Sequence, residues 1–287
     1  PEAGIFDSAE AIAEADGIDA LFISTPTQFH TGHVLAAINN GKHVVTEKPI
    51  ATNLDDADAM IEASEKAGVT LMVGHSFGYE TPIKAIRNTV NSGELGPLRM
   101  LHNWYFTDWM YRPRNPEELD TSLGGGVTFR QGSHQFDIIR LIGGGLVRSV
   151  RAMTAKFDVS RPAEGAHTVF LEFENGAVAT AIYSGYDRFR SAELGYNVGE
   201  GGLPFNLEKY GAARNALKNA NPEAELELKK SVRYGGSSSR NWGEVPDSHP
   251  FYGLTVVSCE NGDIRQSPDG LLVYSENEKR EVALPKG

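Results

Sequence analysis

The chain has 287 residues, enough for two domains, and its 40% apolar and 23% charged content is that of a globular protein. A formal net charge of −11 would repel phosphate backbones, which excludes a general nucleic-acid role, although a local arginine cluster can still take a small anion. No apolar run is long enough to span a bilayer, no basic-then-apolar leader is visible, and one cysteine, Cys259, cannot form an internal disulfide, so the cytoplasm is the expected compartment.

From the start of the chain, apolar periodicity alternates between helix and strand. Ala9–Ala15 reads as a short helix, Ala20–Ser24 as a buried strand, and Phe29–Asn40 as a helix with Val34, Leu35 and Ile38 on one face and Gly41 at its end. His43–Thr46 is a second strand. Asn53–Lys66 is predicted as a helix capped by Asn53 and closed by Gly68, with Leu54, Ala57, Met60 and Ile61 inward, and Thr70–Gly74 is a third strand. This alternation predicts a parallel, doubly wound sheet. After a helix over Tyr79–Ser92 the pattern turns β-rich. Met100–Asp108, Val150–Asp158, His167–Phe173, Ala177–Tyr183, Leu254–Cys259, Asp263–Gln266, Leu271–Ser275 and Glu281–Leu284 alternate or carry β-formers, with Asn175-Gly176, Asn261-Gly262 and Asp269-Gly270 as turns. The expected fold class is therefore α/β plus α+β. An incomplete Rossmann-type sheet (residues 1–95) precedes a large, mostly antiparallel sheet (residues 96–287). Residues 195–253 fit neither pattern; they hold one expected helix, Asn206–Ala220, and a glycine- and serine-rich stretch, Tyr234–Ser239.

A dinucleotide domain opens with a strand, a Gly-x-Gly-x-x-Gly turn and a helix, whose backbone N–H groups meet the pyrophosphate. Nothing before residue 20 supplies that turn, and Gly124–Gly126 and Gly143–Gly145 lack its spacing. Both termini of a longer protein are expected to be missing. The acidic or basic residue that sets NAD against NADP lies in that absent region.

Three segments carry chemistry. Ser24-Thr25-Pro26 ends a strand, with His30 opening the next helix. Gly41-Lys42-His43-Val44-Val45-Thr46-Glu47-Lys48-Pro49 is a strand running into Lys48 at the sheet's carboxyl edge, where such folds bind ligands. Gly124-Gly125-Gly126 precedes Gly132, His134 and Asp137 on an apolar-faced helix. Taken singly, Lys48 is a strand-end surface lysine, His134 a helix-face histidine and the glycine run a flexible turn. In this order and spacing they resemble the glucose-fructose oxidoreductase / inositol dehydrogenase (Gfo/Idh/MocA) family, continuously from about residue 7 to residue 145 and more loosely beyond. The resemblance implies NAD or NADP as cofactor, with Ser24, Thr25, Pro26, His30, Glu47 and Lys48 on the cofactor side and a cis bond before Pro49. It also implies Lys48 and His134 as catalytic residues. An ammonium can stabilise a developing alkoxide, and a neutral imidazole can take the hydroxyl proton. The other histidines show no metal-ligand spacing.

Arg130 departs from that family, many of whose members carry aspartate four residues before the histidine. A planar guanidinium suits a carboxylate and cannot act as a base. Arg112, Arg114 and Trp109, among further aromatics, are expected to line a pocket for a flat anionic ring. The stretch Asp108–Leu119 running into Gly124–His134 resembles the phthalate 4,5-cis-dihydrodiol dehydrogenase branch, which implies oxidation of a cis-diol on a carboxylated ring. A sugar or inositol dehydrogenase, and a non-catalytic dinucleotide-sensing regulator, are the alternatives. Retention of Lys48 and His134 argues against the last. An open antiparallel sheet leaves a broad face, and the resemblance implies a homodimer or homotetramer through it.

Overall fold

Short buried strands and capped helices alternate through the first 75 residues. In this computed structural model, which describes residues 4–218, 220–232, 235–238 and 246–286, the chain divides into two compact units. The first comprises residues up to His75 together with Thr121–Gly124. Its elements run α1 (Ala9–Glu14), β1 (Ala20–Ile23), α2 (His30–Asn39), β2 (His43–Thr46), α3 (Leu54–Ala67) and β3 (Leu71–Val73). The strands are parallel in the order β1-β2-β3, with Ile23, Thr46 and Val73 in register, so three carboxyl ends leave at one edge. Ile23, Val34, Ile38, Val44 and Met60 form its core.

Local chemistry explains these boundaries. The Asn53 side chain accepts the Asp56 N–H at 2.8 Å, one of the donors a helix start leaves unpaired, and Gly68 closes α3 in the left-handed region at φ 68°. Two expected inward residues face out instead: Leu54 is 80% exposed and Ile61 is exposed as well. The buried stripe follows Ala57, Met60 and Ser64 at spacings of three and four; Ile61 lies about 100° round from Met60, and Leu54 projects from the first turn.

The second unit, Ser76–Asp120 with Gly125–Gly287, contains α4 (Thr81–Ser92), β4 (Leu98–Phe106), α5 (Ser133–Gly143), β5 (Val147–Ala155), β6 (Ala166–Phe173) and β7 (Val178–Ser184). It continues through α6 (Ala212–Lys218), α7 (Pro222–Val232), β8 (Leu254–Cys259), β9 (Gly262–Ser267), β10 (Gly270–Ser275) and β11 (Lys279–Ala283). Its eight-stranded sheet has the order β11-β10-β9-β8-β4-β7-β6-β5. Every neighbouring pair is antiparallel except β4 with β7, so two meanders join through one parallel seam. Asn175-Gly176 makes the β6–β7 hairpin with Gly176 at φ 85°. Ile138, Ile139 and Ile142 of α5 bury against Val169, Leu171, Ala179 and Ala181. A methyl group at Gly143 would overlap the Phe173 ring, so only glycine lets that end of α5 lie on β6.

The division falls at His75, ahead of the boundary expected near residue 95. Helix α4 commits Ile83 and Ile86 to the core of the large sheet, along with Leu95. The expected helix Asn206–Ala220 is broken into a 3-10 turn, Leu207–Lys209, and α6, with residue 219 outside the described residues. Helix α7 was not anticipated, because its charges are spread around much of its surface. Of the Tyr234–Ser239 stretch, Tyr234 and Ser239 lie outside the described residues. Among the described residues, no helix is long and apolar enough to cross a membrane.

Candidate active site

In the first unit, Ser24-Thr25-Pro26 follows β1 and Glu47-Lys48-Pro49 follows β2 at the shared carboxyl edge, the end of such a sheet that binds ligands. Ser24, Thr25 and Pro26 are exposed, Glu47 and Lys48 half-buried, and the Lys48–Pro49 bond is cis. The Glu47 N–H donates to the Ile23 carbonyl at 2.8 Å, and the Lys48 N–H donates to Glu47 Oε2 at 3.3 Å, so Glu47 fixes the backbone from which Lys48 projects.

His30 is 1% exposed, with Nδ1 2.9 Å from the Pro49 carbonyl and Nε2 2.8 Å from the Thr25 carbonyl. Both ring nitrogens face backbone carbonyls, and whichever carries the proton donates to one of them, so His30 packs between the two strand-end loops. Gly124, at φ 75°, packs in the same unit against Thr27, whose Cγ2 would lie 3.2 Å from an added Cβ.

In the second unit His134 lies in the first turn of α5, 5% exposed, straight after a π-helical turn over Thr128–Gly132 that carries half-buried Arg130. Such turns widen a helix and are frequent at functional sites. Two rings meet the imidazole edge-on: Phe77 at 4.9 Å (87°) and Tyr252 at 5.3 Å (65°). The Tyr252 hydroxyl reaches back to the π-turn, donating toward the Gln131 carbonyl at 2.7 Å. The next residue, Gln135, is fully buried. Its Nε2 donates to Asn103 Oδ1 at 2.6 Å and to the Ile182 carbonyl at 3.1 Å, and its Oε1 lies 2.8 Å from His167 Nε2. Helix α5 is thereby tied to β4, β6 and β7, which sets the direction of His134. Burial pushes the His167 imidazole down to about 4, so it stays neutral near physiological pH. Asp137 lies against Gly78 and pairs with Arg140 at 3.3 Å rather than with the catalytic candidate.

Arg112 and Arg114 do not present open guanidiniums. Arg112 donates from Nε to Asp108 at 2.7 Å, from Nη1 to Glu200 at 2.7 Å and from Nη2 to Thr107 at 3.1 Å. Burial alone would raise the Asp108 carboxyl, but Arg112 and Arg190 outweigh it and hold it at about 2. Glu200 is likewise held below its usual range, burial being outweighed by Arg112. Arg114 donates to the Trp109 carbonyl at 3.0 Å and to Glu118 at 3.1 Å, and its guanidinium lies 3.8 Å from the centre of the Trp109 ring. Trp109 itself is core, and Trp104 lies on the outer face of the large sheet. The expected arginine-and-aromatic pocket around these residues is therefore a set of satisfied internal pairs, because Asp108, Glu118 and Glu200 neutralise it. Sequence reasoning missed Phe77, Tyr252, Gln135 and Glu200. Of these only Gln135, adjacent to His134, carried a local signal. Gly125 and Gly126 are required by close approach to the Glu117, Glu118 and Asp120 carbonyls and to Glu164, a packing demand of the protein itself. Among the described residues, no group of three His, Cys, Asp or Glu could hold a metal ion.

Two family models match the chain: an oxidoreductase family, NAD-binding Rossmann fold, over residues 2–75, and a GFO/IDH/MocA C-terminal domain over residues 83–198. The chain is 36% identical over 280 residues to 1-carboxy-3-chloro-3,4-dihydroxycyclohexa-1,5-diene dehydrogenase of Comamonas testosteroni, covering 97% of this chain and 70% of that protein. It is 29% identical to myo-inositol 2-dehydrogenase of Thermotoga maritima, over 65% of this chain and 54% of that one. A dehydrogenase crystal structure from Bordetella bronchiseptica RB50 superimposes with a TM-score of 0.90 at 40% identity, over 98% of this chain and 73% of that one.

Proposed function

Since the chain belongs to the GFO/IDH/MocA family of NAD(P)-dependent oxidoreductases, we propose that it oxidises a hydroxyl of a carboxylated cyclic diol. The observation that carries the substrate class is the likeness, along nearly the whole chain, to the Comamonas enzyme, whose name specifies a carboxylated, dihydroxylated ring. The first unit is assigned to the dinucleotide and the second to the substrate and the subunit contact. The loops Ser24–Pro26 and Glu47–Pro49, with His30 packed between them, fit the nicotinamide half of a dinucleotide laid on the sheet edge. A nicotinamide held there would supply the acceptor for the hydride that leaves the carbinol carbon. Lys48, an ammonium at the strand end, stabilises negative charge developing on the carbinol oxygen. His134 takes the hydroxyl proton. Loss of hydride from carbon and proton from oxygen leaves a ring ketone; where the ring is a cyclohexadiene this tautomerises to a catechol, and aromaticity drives the reaction forward. Arg130, on the turn before His134, is assigned to the substrate carboxylate. One buried, free Cys259 accords with a cytoplasmic protein.

Nicotinamide reduction, followed by its near-ultraviolet absorbance, tests this on a carboxylated cis-diol, the same diol without the carboxylate, and myo-inositol. The carboxylated diol is expected to have a kcat/KM at least about 10²-fold higher. In Arg130→Asp its KM should rise about 10-fold or more with a smaller change in kcat. Preference for inositol would replace the substrate class, and an unchanged KM would remove Arg130 from it.

We propose a second copy of this chain as the partner of the large sheet. The strand register places Met100, Trp104, Met153 and Phe170 on the face opposite the buried Leu101, Val169 and Leu171. All four are exposed, Met153 by 72%, which is an apolar area of the kind that marks an interface. Light scattering should give at least a dimer, and Met153→Asp with Phe170→Glu should give a monomer. A monomeric parent protein would rule the contact out.

A further inference from the structure

A cleft of about 860 Å³ lies in the second unit, outside the surroundings of His134. Its walls come from three places: the segment around Tyr111 and Pro116, the loop from Asp158 to Arg161, and helices α6 and α7, which supply Leu217 and Leu226. Its size and apolar lining suit a small organic molecule. Its charge does not follow the rest of the protein. Arg114, Arg161, Arg214 and Lys218 line it against two carboxylates, Asp158 and Glu225, in a chain of formal net charge −11.

Both carboxylates are already engaged. Asp158 accepts the Ser160 hydroxyl at 2.6 Å, the Ser160 N–H at 2.9 Å and the Tyr111 hydroxyl at 2.9 Å, and these bonds, the Ser160 hydroxyl first, hold it below its usual range against the opposing effect of burial. Glu225 accepts the Arg114 N–H at 2.7 Å and both contacts of Arg161 Nη1, at 2.9 and 3.0 Å. Arg114 is neutralised by Glu118. The cations are not all so matched. Arg161 is 6% exposed, and its Nη2 is buried with no hydrogen-bond partner among the described residues. A guanidinium whose second nitrogen is left bare inside a protein costs free energy, unless a ligand oxygen completes its fork. Arg214 is held loosely, with Nε 3.6 Å from Asp187, and Lys218 is exposed at the rim.

We propose that this cleft binds a small organic anion, a carboxylate on an apolar ring. Arg161 Nη2 meets the carboxylate at depth, Arg214 and Lys218 supply charge at the mouth, and Tyr111, Leu217 and Leu226 face the ring. The ligand is either a second molecule of the substrate, apart from the one assigned to Arg130, or a separate organic anion. The two share one chemistry, and the site does not depend on which diol is oxidised.

Calorimetric titration of the protein with benzoate, and with benzyl alcohol as the uncharged counterpart, tests the proposal without turnover. Benzoate should bind at least about 10-fold more tightly than benzyl alcohol. Removing Arg161 alone would strand Glu225, so the deep variant is Arg161→Met with Glu225→Gln, expected to weaken benzoate by about 10- to 100-fold. The rim variant, Arg214→Gln with Lys218→Gln, leaves the buried Asp187 paired with Arg190 and should weaken it several-fold, which keeps the test decisive if the deep variant does not fold. Unchanged benzoate affinity in the rim variant and in any folded deep variant, or loss of benzoate in Arg130→Asp alone, overturns the site. Competitive inhibition of nicotinamide reduction that disappears in these variants supports the site with the substrate as its source. Binding without inhibition supports it with a separate anion.

Discussion

Replacing His134 with Asn is expected to lower kcat by about 10²–10⁴-fold, the range that a positioned general base contributes, with KM changed far less. Asparagine keeps a planar polar group among Phe77 and Tyr252, and the anchoring of α5 passes through the neighbouring Gln135, so the fold should survive. Circular dichroism and the urea midpoint check that. The assay also separates His134 from His167, the other buried histidine of this region. His167 is held at about 4 by burial and bonded to Gln135, so it does not change charge near neutrality. A pH–rate limb near neutrality that vanishes in His134→Asn therefore belongs to His134. A near-normal rate in the variant would remove it from proton transfer and leave Lys48 as the group acting on the hydroxyl.

Features set by neighbouring residues were legible in the sequence. The Asn53 cap, the left-handed Gly68, the Asn175-Gly176 hairpin and the placing of Lys48 at a strand end each depend on a few adjacent residues, and the structure has them all. The Rossmann-type sheet followed by a mostly antiparallel one was readable for the same reason, since period and turn chemistry are local. What could not be read depends on pairings across long stretches of chain. Arg112 looks like an open anion anchor until Glu200, far along the sequence, is folded against it. Arg161 drew no notice, because its partner Glu225 lies on a helix whose mixed charges hid its period. Phe77 and Tyr252 meet at His134 from opposite ends of the second unit's sequence. The burial of His30 was equally hidden, since the two carbonyls its ring faces, of Thr25 and Pro49, come from separate strand-end loops.

Arg114→Met is expected to destabilise the protein by about 2–3 kcal/mol, below the roughly 3–5 kcal/mol of a wholly stranded buried charge because Lys229 still pairs with Glu118. Arg114 and Glu118 are both buried, and Glu118 also takes Lys229 Nζ at 2.8 Å. Methionine matches much of the arginine's length over the Trp109 ring, so the loss would come from charge more than from packing. The pH dependence gives a second, independent reading. Burial alone would raise the Glu118 carboxyl, but Arg114 and then Lys229 more than offset it and hold it at about 2, against 4.5 ordinarily. A carboxyl whose folded-state value is depressed stabilises the fold fully above its unfolded value, and that contribution is lost as pH falls from about 4.5 toward about 2. Asp108, also held at about 2, adds acid sensitivity of the same sign in the parent and the variant alike. The difference between the two proteins in urea denaturation should therefore be largest near neutrality and shrink through the acid range as Glu118 is protonated. A constant difference across that range would mean that Arg114 acts through packing on Trp109 and not through Glu118.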